Sequence, residues 1–195
     1  MHKKLINSGW IEVICGGMFS GKTEELLRRI RRAQIANMST IIFKPQIDTR
    51  YSKNKIVSHN NNSMESEIIE KTKDIFNIGK NNDVVGVDEA QFLTDKQVWE
   101  LSDVVEILNI PVMCFGLRTD FQGKLFEGSS SLLAIADELK EIKTICHCGK
   151  KANMVVRVDS NGKVLKEGAQ IEIGGNEKYI SLCRKHWKNE MENNR

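Results

Sequence analysis

Apolar residues fall in short runs along this chain, and the runs alternate between two spacings. Residues 10–15, Trp-Ile-Glu-Val-Ile-Cys, form a nearly unbroken apolar run that predicts a buried strand. In 24–30 the apolar positions Leu26, Leu27 and Ile30 recur at turn spacing and predict a helix. Strand signals return at 40–44, which Pro45 ends, and at 67–69, while 72–78 predicts a short helix stopping at Gly79. The run 84–89 predicts a strand ending in Asp88-Glu89, and Thr94 then caps a helix carrying Val98, Leu101, Val104, Val105 and Leu108. A strand at 110–115, a loop at 117–123, a helix at 132–137 and a strand at 142–145 continue the alternation.

Alternating strands and helices give a mostly parallel sheet with helices on both faces, and ligands of such sheets bind beyond the carboxyl ends of the strands. Four segments are expected to meet there: the loop opening at Gly16, a polar loop containing Asp48 and Arg50, the Asp88-Glu89 pair, and 117–121. Near residue 144 the pattern changes to short β segments. Residues 154–158 and 164–165 flank Asp-Ser-Asn-Gly-Lys at 159–163, a hairpin turn signal, and 171–175 and 178–182 follow. The chain is therefore expected to divide into an α/β part, 1–143, and a β part, 144–195, with a frayed polar tail after His186.

The 195 residues suit one good-sized domain, or one domain and a small appendage. A net charge of +3 gives no electrostatic argument for a nucleic-acid or membrane partner. No run is long and apolar enough to cross a bilayer, and the first residues lack a signal-peptide core, so a cytoplasmic location is expected. Five cysteines, with Cys15 and Cys114 inside apolar runs, argue for reduced thiols over a disulfide scaffold.

Candidate chemistry concentrates in two places. Gly16-Gly17-Met18-Phe19-Ser20-Gly21-Lys22-Thr23 has the form G-x-x-x-x-G-K-[ST], set between a strand and a helix as a phosphate-cradling loop requires. Its glycines let backbone N–H groups turn onto phosphates, Lys22 would reach the terminal phosphates and the Thr23 hydroxyl would ligate Mg²⁺. Asp88, ending an apolar strand, fits the second magnesium-holding position of such proteins. Glu89 beside it can act as a general base toward water or toward an acceptor hydroxyl, and its position alone does not choose between an ATPase and a kinase.

The second place is Cys146-x-Cys148 with Cys183-x-x-His186, two close pairs suited to a structural Zn²⁺ with three sulfurs and one nitrogen. The one-residue gap in the first pair is tighter than usual, and His147 is an alternative to one thiolate. A segment of about 50 residues has little core of its own, so a metal staple is physically reasonable. Arg28, Arg29, Arg31 and Arg32 read as a solvated helix face and the three tryptophans as packing. Phe121 and Tyr179 fall outside periodic runs, where an aromatic either packs or stacks on a base. From the residues alone, a small zinc-bearing ATPase acting on nucleic acid and a nucleotide-binding regulatory module both stay open beside a kinase.

Five blocks then point to one family: 16–23; Phe-Lys-Pro-Gln-Ile-Asp-Thr-Arg-Tyr at 43–51; Asp-Glu-Ala-Gln-Phe at 88–92; Asp-Phe-Gln-Gly at 120–123; and Ile-Gly-Gly-Asn-Glu-Lys-Tyr at 173–179. In order and spacing, across nearly the whole chain, they resemble the type II thymidine kinases. The resemblance implies a RecA-like P-loop sheet flanked by helices, a zinc-bearing β appendage with a lasso loop, a homotetramer, and transfer of the ATP γ-phosphate to the 5′-hydroxyl of thymidine, with deoxyuridine a poorer substrate.

By position it implies that Glu89 accepts the 5′-hydroxyl proton, and that Gly16 to Thr23, Asp88 and Gln91 serve ATP, with Thr23 and Asp88 on magnesium. Phe121 matches the aromatic beside the thymine, and Met18 and Leu117 match the pocket for its 5-methyl group. Gln170, Ile171, Glu172, Ile173 and Gly174 match the lasso whose backbone meets the base edge, which Tyr179 closes. Asp48 and Arg50 match a polar pair at the site, and Cys146, Cys148, Cys183 and His186 match the zinc ligands. The sequence departs from the commoner family pattern at Gly17, where many members have proline, in the C-x-C spacing, and in the opening Leu117-Arg118-Thr119-Asp120.

Overall fold

A computed structural model describes residues 9–47, 55–57, 62–69, 75–171 and 178–192. Asp48, Arg50, Glu172, Ile173 and Gly174 lie outside the described residues. In chain order the elements are β1 (Ile11–Gly16), α1 (Lys22–Ile35), β2 (Thr40–Pro45), β3 (Lys55–Val57), β4 (Ser63–Glu65), β5 (Glu67–Ile69), α2 (Ile75–Gly79) and β6 (Val84–Val87). A 3₁₀ turn (Ala90–Phe92) leads to α3 (Asp95–Leu108), β7 (Val112–Gly116), α4 (Glu127–Ile135) and β8 (Glu138–Ile142). Then come β9 (Thr144–Ile145), β10 (Lys151–Ala152), β11 (Met154–Val158), β12 (Val164–Leu165), β13 (Tyr179–Leu182) and α5 (Arg184–Glu192).

Six strands form one parallel sheet in the order β5-β2-β6-β7-β1-β8. Alternation along the strands sends neighbouring side chains to opposite faces. On one face Val13, Val85, Val87, Val112 and Cys114 pack under Val98, Leu101 and Val104 of α3. On the other, Ile14, Ile42, Met113 and Phe115 pack under Leu26, Leu27 and Ile30 of α1. The three central strands β6, β7 and β1 thus deliver their carboxyl ends side by side, which is where the chemistry gathers.

α3 begins as its sequence dictates. The Thr94 hydroxyl accepts from Gln97 N–H, and the Gln97 side chain accepts from Thr94 N–H, a complete capping box. Asn109, at φ 55°, closes the other end in the left-handed conformation that asparagine tolerates.

Beyond residue 143 a separate small core forms from Ala152, Val156, Val158 and Leu182, with Trp187 and Met191 of α5 packed against it. β11 is the middle strand of a three-stranded antiparallel sheet, β12-β11-β13.

Several elements differ from the sequence expectation. The sixth strand of the main sheet is β8, not 142–145. Its Glu-Leu-Lys-Glu-Ile carries no apolar run because it is an exposed edge strand, paired only to β1. α4 starts at Glu127 and not at 132, because Gly128 and Ser129, weak helix formers, are buried against the 3₁₀ turn. The tail after His186 is helical, since Trp187 and Met191, one turn apart, reach the small core. Tyr179, outside the periodic runs of the sequence, opens β13 within the β segment expected at 178–182 and lies opposite Arg157. The β3–β4 hairpin is too short to leave a periodic signal.

Candidate active site and metal centre

The loop between β1 and α1 is shaped by close approach. A Cβ on Gly16 would lie 2.4 Å from Ser20 Oγ and 2.7 Å from the Ile142 carbonyl oxygen, so no larger residue fits there. Gly21, at φ 82°, is the left-handed N-cap of α1. The Lys22 ammonium folds over the loop, donating to the carbonyls of Gly17 at 2.8 Å and Gly16 at 3.3 Å. Ser20 Oγ is buried with no hydrogen-bond partner among the described residues. A ring of donors round a helix N-terminus is a site for an anion, and a phosphate oxygen suits that hydroxyl.

Two strands away, Asp88 directly follows β6. Its buried carboxylate accepts from the Thr23 hydroxyl at 3.0 Å and from the Glu89 N–H at 3.1 Å. The two residue types that hold magnesium in phosphate-binding-loop proteins are therefore in direct contact across 65 residues of chain. Glu89 follows in the left-handed conformation, φ 50° and ψ 39°, a strained backbone for a glutamate and of the kind found at functional sites. Its carboxylate accepts from Gln91 Nε2 at 2.5 Å, and Gln91 Oε1 accepts from Leu117 N–H at 3.0 Å.

The loop after β7 is braced from several sides. Ser129 Oγ donates to the Leu117 carbonyl. Asp120 accepts from the N–H groups of Gln122 and Lys124 and from Gln170 Nε2, each at 2.9 Å. Phe121 is 1% exposed, with the Arg157 guanidinium over its ring at 4.0 Å and the Trp187 indole N–H on its carbonyl at 3.0 Å. Ser181 Oγ on β13 donates to the Met18 carbonyl at 3.0 Å. A cleft runs between these parts, lined by Gly16, Gly17, Leu117, Arg118, Asn153 and Met154.

Three of the four segments expected at the strand ends thus meet: the glycine loop, Asp88-Glu89 and the 117–121 loop. The fourth, with Asp48 and Arg50, lies outside the described residues. Met18, Leu117, Ile171 and Tyr179 are half-buried. The sequence reading missed Arg157 and passed over Trp187 as plain packing. A charged residue inside the apolar run 154–158 was the available signal, because an arginine buried in a strand needs a partner. The same holds for Glu12 in β1, buried between Arg29 and Lys140.

Cys146, Cys148, Cys183 and His186 place their ligand atoms within 4.8 Å of one another. Cys146 Sγ lies 3.2 Å from His186 Nδ1, Cys183 Sγ 3.6 Å from the same nitrogen, and Cys148 Sγ 3.9 Å from Cys183 Sγ. Metal–sulfur bonds of about 2.3 Å in a tetrahedron set sulfurs roughly 3.8 Å apart, so this donor set fits a structural metal. The C-x-C spacing works because Gly149, at φ 79°, turns the chain tightly after Cys148. His147 stacks on the His186 ring, centroids 4.3 Å apart, outside the four-ligand set. The other cysteines are ordinary thiols, Cys15 half-buried and Cys114 buried: burial raises Cys15 and pushes Cys114 up to about 12.

A parallel α/β sheet with a glycine loop entering a helix, and an acidic residue two strands away in contact with that helix, is the layout of a protein that holds a phosphate-bearing ligand at its strand ends. The family model described as thymidine kinase matches residues 9–187. A thymidine kinase of Mannheimia succiniciproducens is 47% identical over 177 residues, covering 88% of this chain and 91% of that protein. One from Agrobacterium fabrum is 49% identical over 176 residues, covering 87% and 91%. One from Rhizobium etli is 49% identical over 181 residues, covering 89% and 90%. The chain belongs to the thymidine kinase family.

Proposed function

We propose that this protein transfers the γ-phosphate of ATP to the 5′-hydroxyl of thymidine, giving dTMP and ADP for DNA synthesis by pyrimidine salvage. The observation that carries the reading is Glu89 standing directly after Asp88, whose carboxylate touches Thr23 at the mouth of the phosphate loop. A base is thereby set beside the place where the terminal phosphate would lie. Glu89 takes the proton of the incoming hydroxyl, and the hydroxyl oxygen attacks phosphorus as the bond to ADP breaks.

Residues 16–23 and Gln91 bind ATP, with Lys22 on the terminal phosphates. Thr23 and Asp88 would hold Mg²⁺, which when bound screens the charge of the phosphate oxygens. Met18, Leu117 and Phe121 form the wall of the thymine pocket. Gln170, Ile171, Glu172, Ile173 and Gly174 supply the lasso backbone that reads the base edge, closed by Tyr179. Asp48 and Arg50 contribute a polar pair to the same site. One methyl group is worth only ~1–3 kcal/mol of discrimination, so deoxyuridine is a slower substrate.

The metal at Cys146, Cys148, Cys183 and His186 is Zn²⁺, as three thiolates and an imidazole favour. It serves the part of the chain from 144 to 195, distinct from the kinase part, 1–143. The enzyme works in the cytoplasm as a homotetramer, without nucleic acid or membrane. No helix among the described residues is long and apolar enough to cross a membrane.

The deciding experiment incubates the protein with ATP, Mg²⁺ and each nucleoside in turn and scores nucleoside monophosphate. Thymidine is expected to react fastest and deoxyuridine measurably. Phosphate release that needs no nucleoside and rises with DNA would overturn the reading.

A further inference from the structure

Gln91 is 2% exposed, yet it is polar at both ends of its side chain and both ends are engaged. One partner, Leu117 N–H, can only donate. The atom facing it must therefore be the amide oxygen, which leaves the amide nitrogen facing Glu89. The orientation of this carboxamide follows from its partners. An N–H₂ group can only donate, so the Glu89 oxygen it meets at 2.5 Å has to be an acceptor. That interaction favours the ionised carboxylate, the form a general base needs.

The turn that carries Gln91 has no room to adjust. A Cβ on Gly116 would lie 2.7 Å from Gln91 Oε1 and 2.9 Å from Gln91 N. On the opposite side a Cβ on Gly128 would lie 2.6 Å from the Ala90 carbonyl oxygen and 3.0 Å from that of Gln91. Strand β7 and helix α4 thus grip residues 90–92 through two glycines. Ser129, next to Gly128, holds the Leu117 carbonyl while Gln91 holds the Leu117 N–H. The Glu89 carboxylate and the first residue of the 117–123 loop are fastened to one amide.

We propose that Gln91 is the positioning residue of the catalytic base: it aims the Glu89 carboxylate, keeps it ionised, and ties it to the loop at Leu117. This goes beyond binding ATP, and it rests on the reading of Glu89 as the base. Gln91 acts through Glu89 and has no share in breaking or forming the phosphoryl bond.

The test is the pH dependence of kcat for Gln91→Glu, close in size, and for Gln91→Leu. Both are expected to lower kcat at neutral pH by on the order of 10- to 100-fold. Both should move the acid limb to higher pH, Gln91→Glu further because a second carboxylate faces the first. Because Gln91 also serves ATP, the KM for ATP rises in both variants, and the fall in kcat must therefore persist at saturating ATP. An acid limb left in place, or a loss confined to the KM for ATP, overturns the proposal. In the double variant with Glu89→Gln, the Gln91→Leu change should cost little more, since its effect runs through Glu89; full additivity overturns it as well.

Should neither variant fold, the wild-type enzyme decides. The side-chain ¹⁵NH₂ signal of Gln91 is expected to titrate with the midpoint of the kcat acid limb, and a signal flat through that range sinks the proposal. Failure of the underlying reading looks different: Glu89→Gln alone would then keep full turnover.

Discussion

The guanidinium carbon of Arg157 lies 4.0 Å from the centroid of the Phe121 ring, and Arg157 Nη1 donates to the Ala169 carbonyl at 2.9 Å. One buried cation therefore joins the aromatic of the 117–123 loop to the segment that runs toward Gln170 and Ile171. A desolvated cation over an aromatic face is worth ~2 kcal/mol. Arg157→Met keeps much of the bulk and removes the charge and the donors. It is expected to raise the KM for thymidine several-fold with the KM for ATP unchanged, read by steady-state kinetics with each substrate varied.

Glu89→Gln tests the chemistry itself. The change keeps size and one hydrogen-bonding oxygen but removes the basicity, so kcat should fall by on the order of 10²–10⁴ while ATP affinity holds. Single-turnover kinetics with a separate nucleotide-binding measurement distinguish the two effects. Unchanged turnover would take Glu89 out of the mechanism.

Glu12 offers a stability test far from the substrates. Burial works to raise its pKa, but hydrogen bonds from Lys140 and Arg29 more than offset that and hold it below the ordinary 4.5. A carboxyl depressed in the folded state stabilises above its unfolded pKa and loses that contribution as pH falls through the folded value. Glu12→Gln is therefore expected to lower unfolding free energy by on the order of 2 kcal/mol at neutral pH. The gap from wild type should stay level down to about pH 4.5 and narrow below it. Urea unfolding across pH 3 to 8 checks this, and a gap that widens in acid would refute it.

Metal removal should act on the nucleoside side first. The Cys146–His186 cluster sits beside Trp187 and Ser181, which hold Phe121 and Met18 through their carbonyls. Elemental analysis is expected to find one zinc per chain. Chelation, or Cys183→Ser, should loosen 144–192 and weaken thymidine binding before the sheet core melts. Hydrogen exchange, comparing β11 with β1, reads the order of events; simultaneous loss in both would deny the coupling.

What could be read in advance follows the range of the interactions concerned. The phosphate loop is a contiguous string whose meaning is local: glycines at set offsets between a strand and a helix. Thr94 announces a helix start in the same way, and it forms the cap, which Gln97 completes in the structure. The pairs Cys146/Cys148 and Cys183/His186 are each local, and a metal's fixed donor number says how two such pairs combine. The edge strand β8 was invisible because exposure on both faces removes the apolar period on which a strand is recognised.

The chain order of residue types therefore determined the alternating architecture, the anion loop, the acid pair and the four metal donors. Each of these is written in neighbours along the backbone or in hydrophobic period. Folding alone decided that Gln91 would meet Glu89 and Leu117, that Arg157 would cover Phe121, and that Glu12 would sit between Arg29 and Lys140. Apart from the local Gln91–Glu89 pair, those contacts join residues on separate elements, set by sheet order and by close packing of α4 on the 3₁₀ turn. A polar side chain reveals such a role only once burial strips away its water and leaves a specific protein partner to take its place.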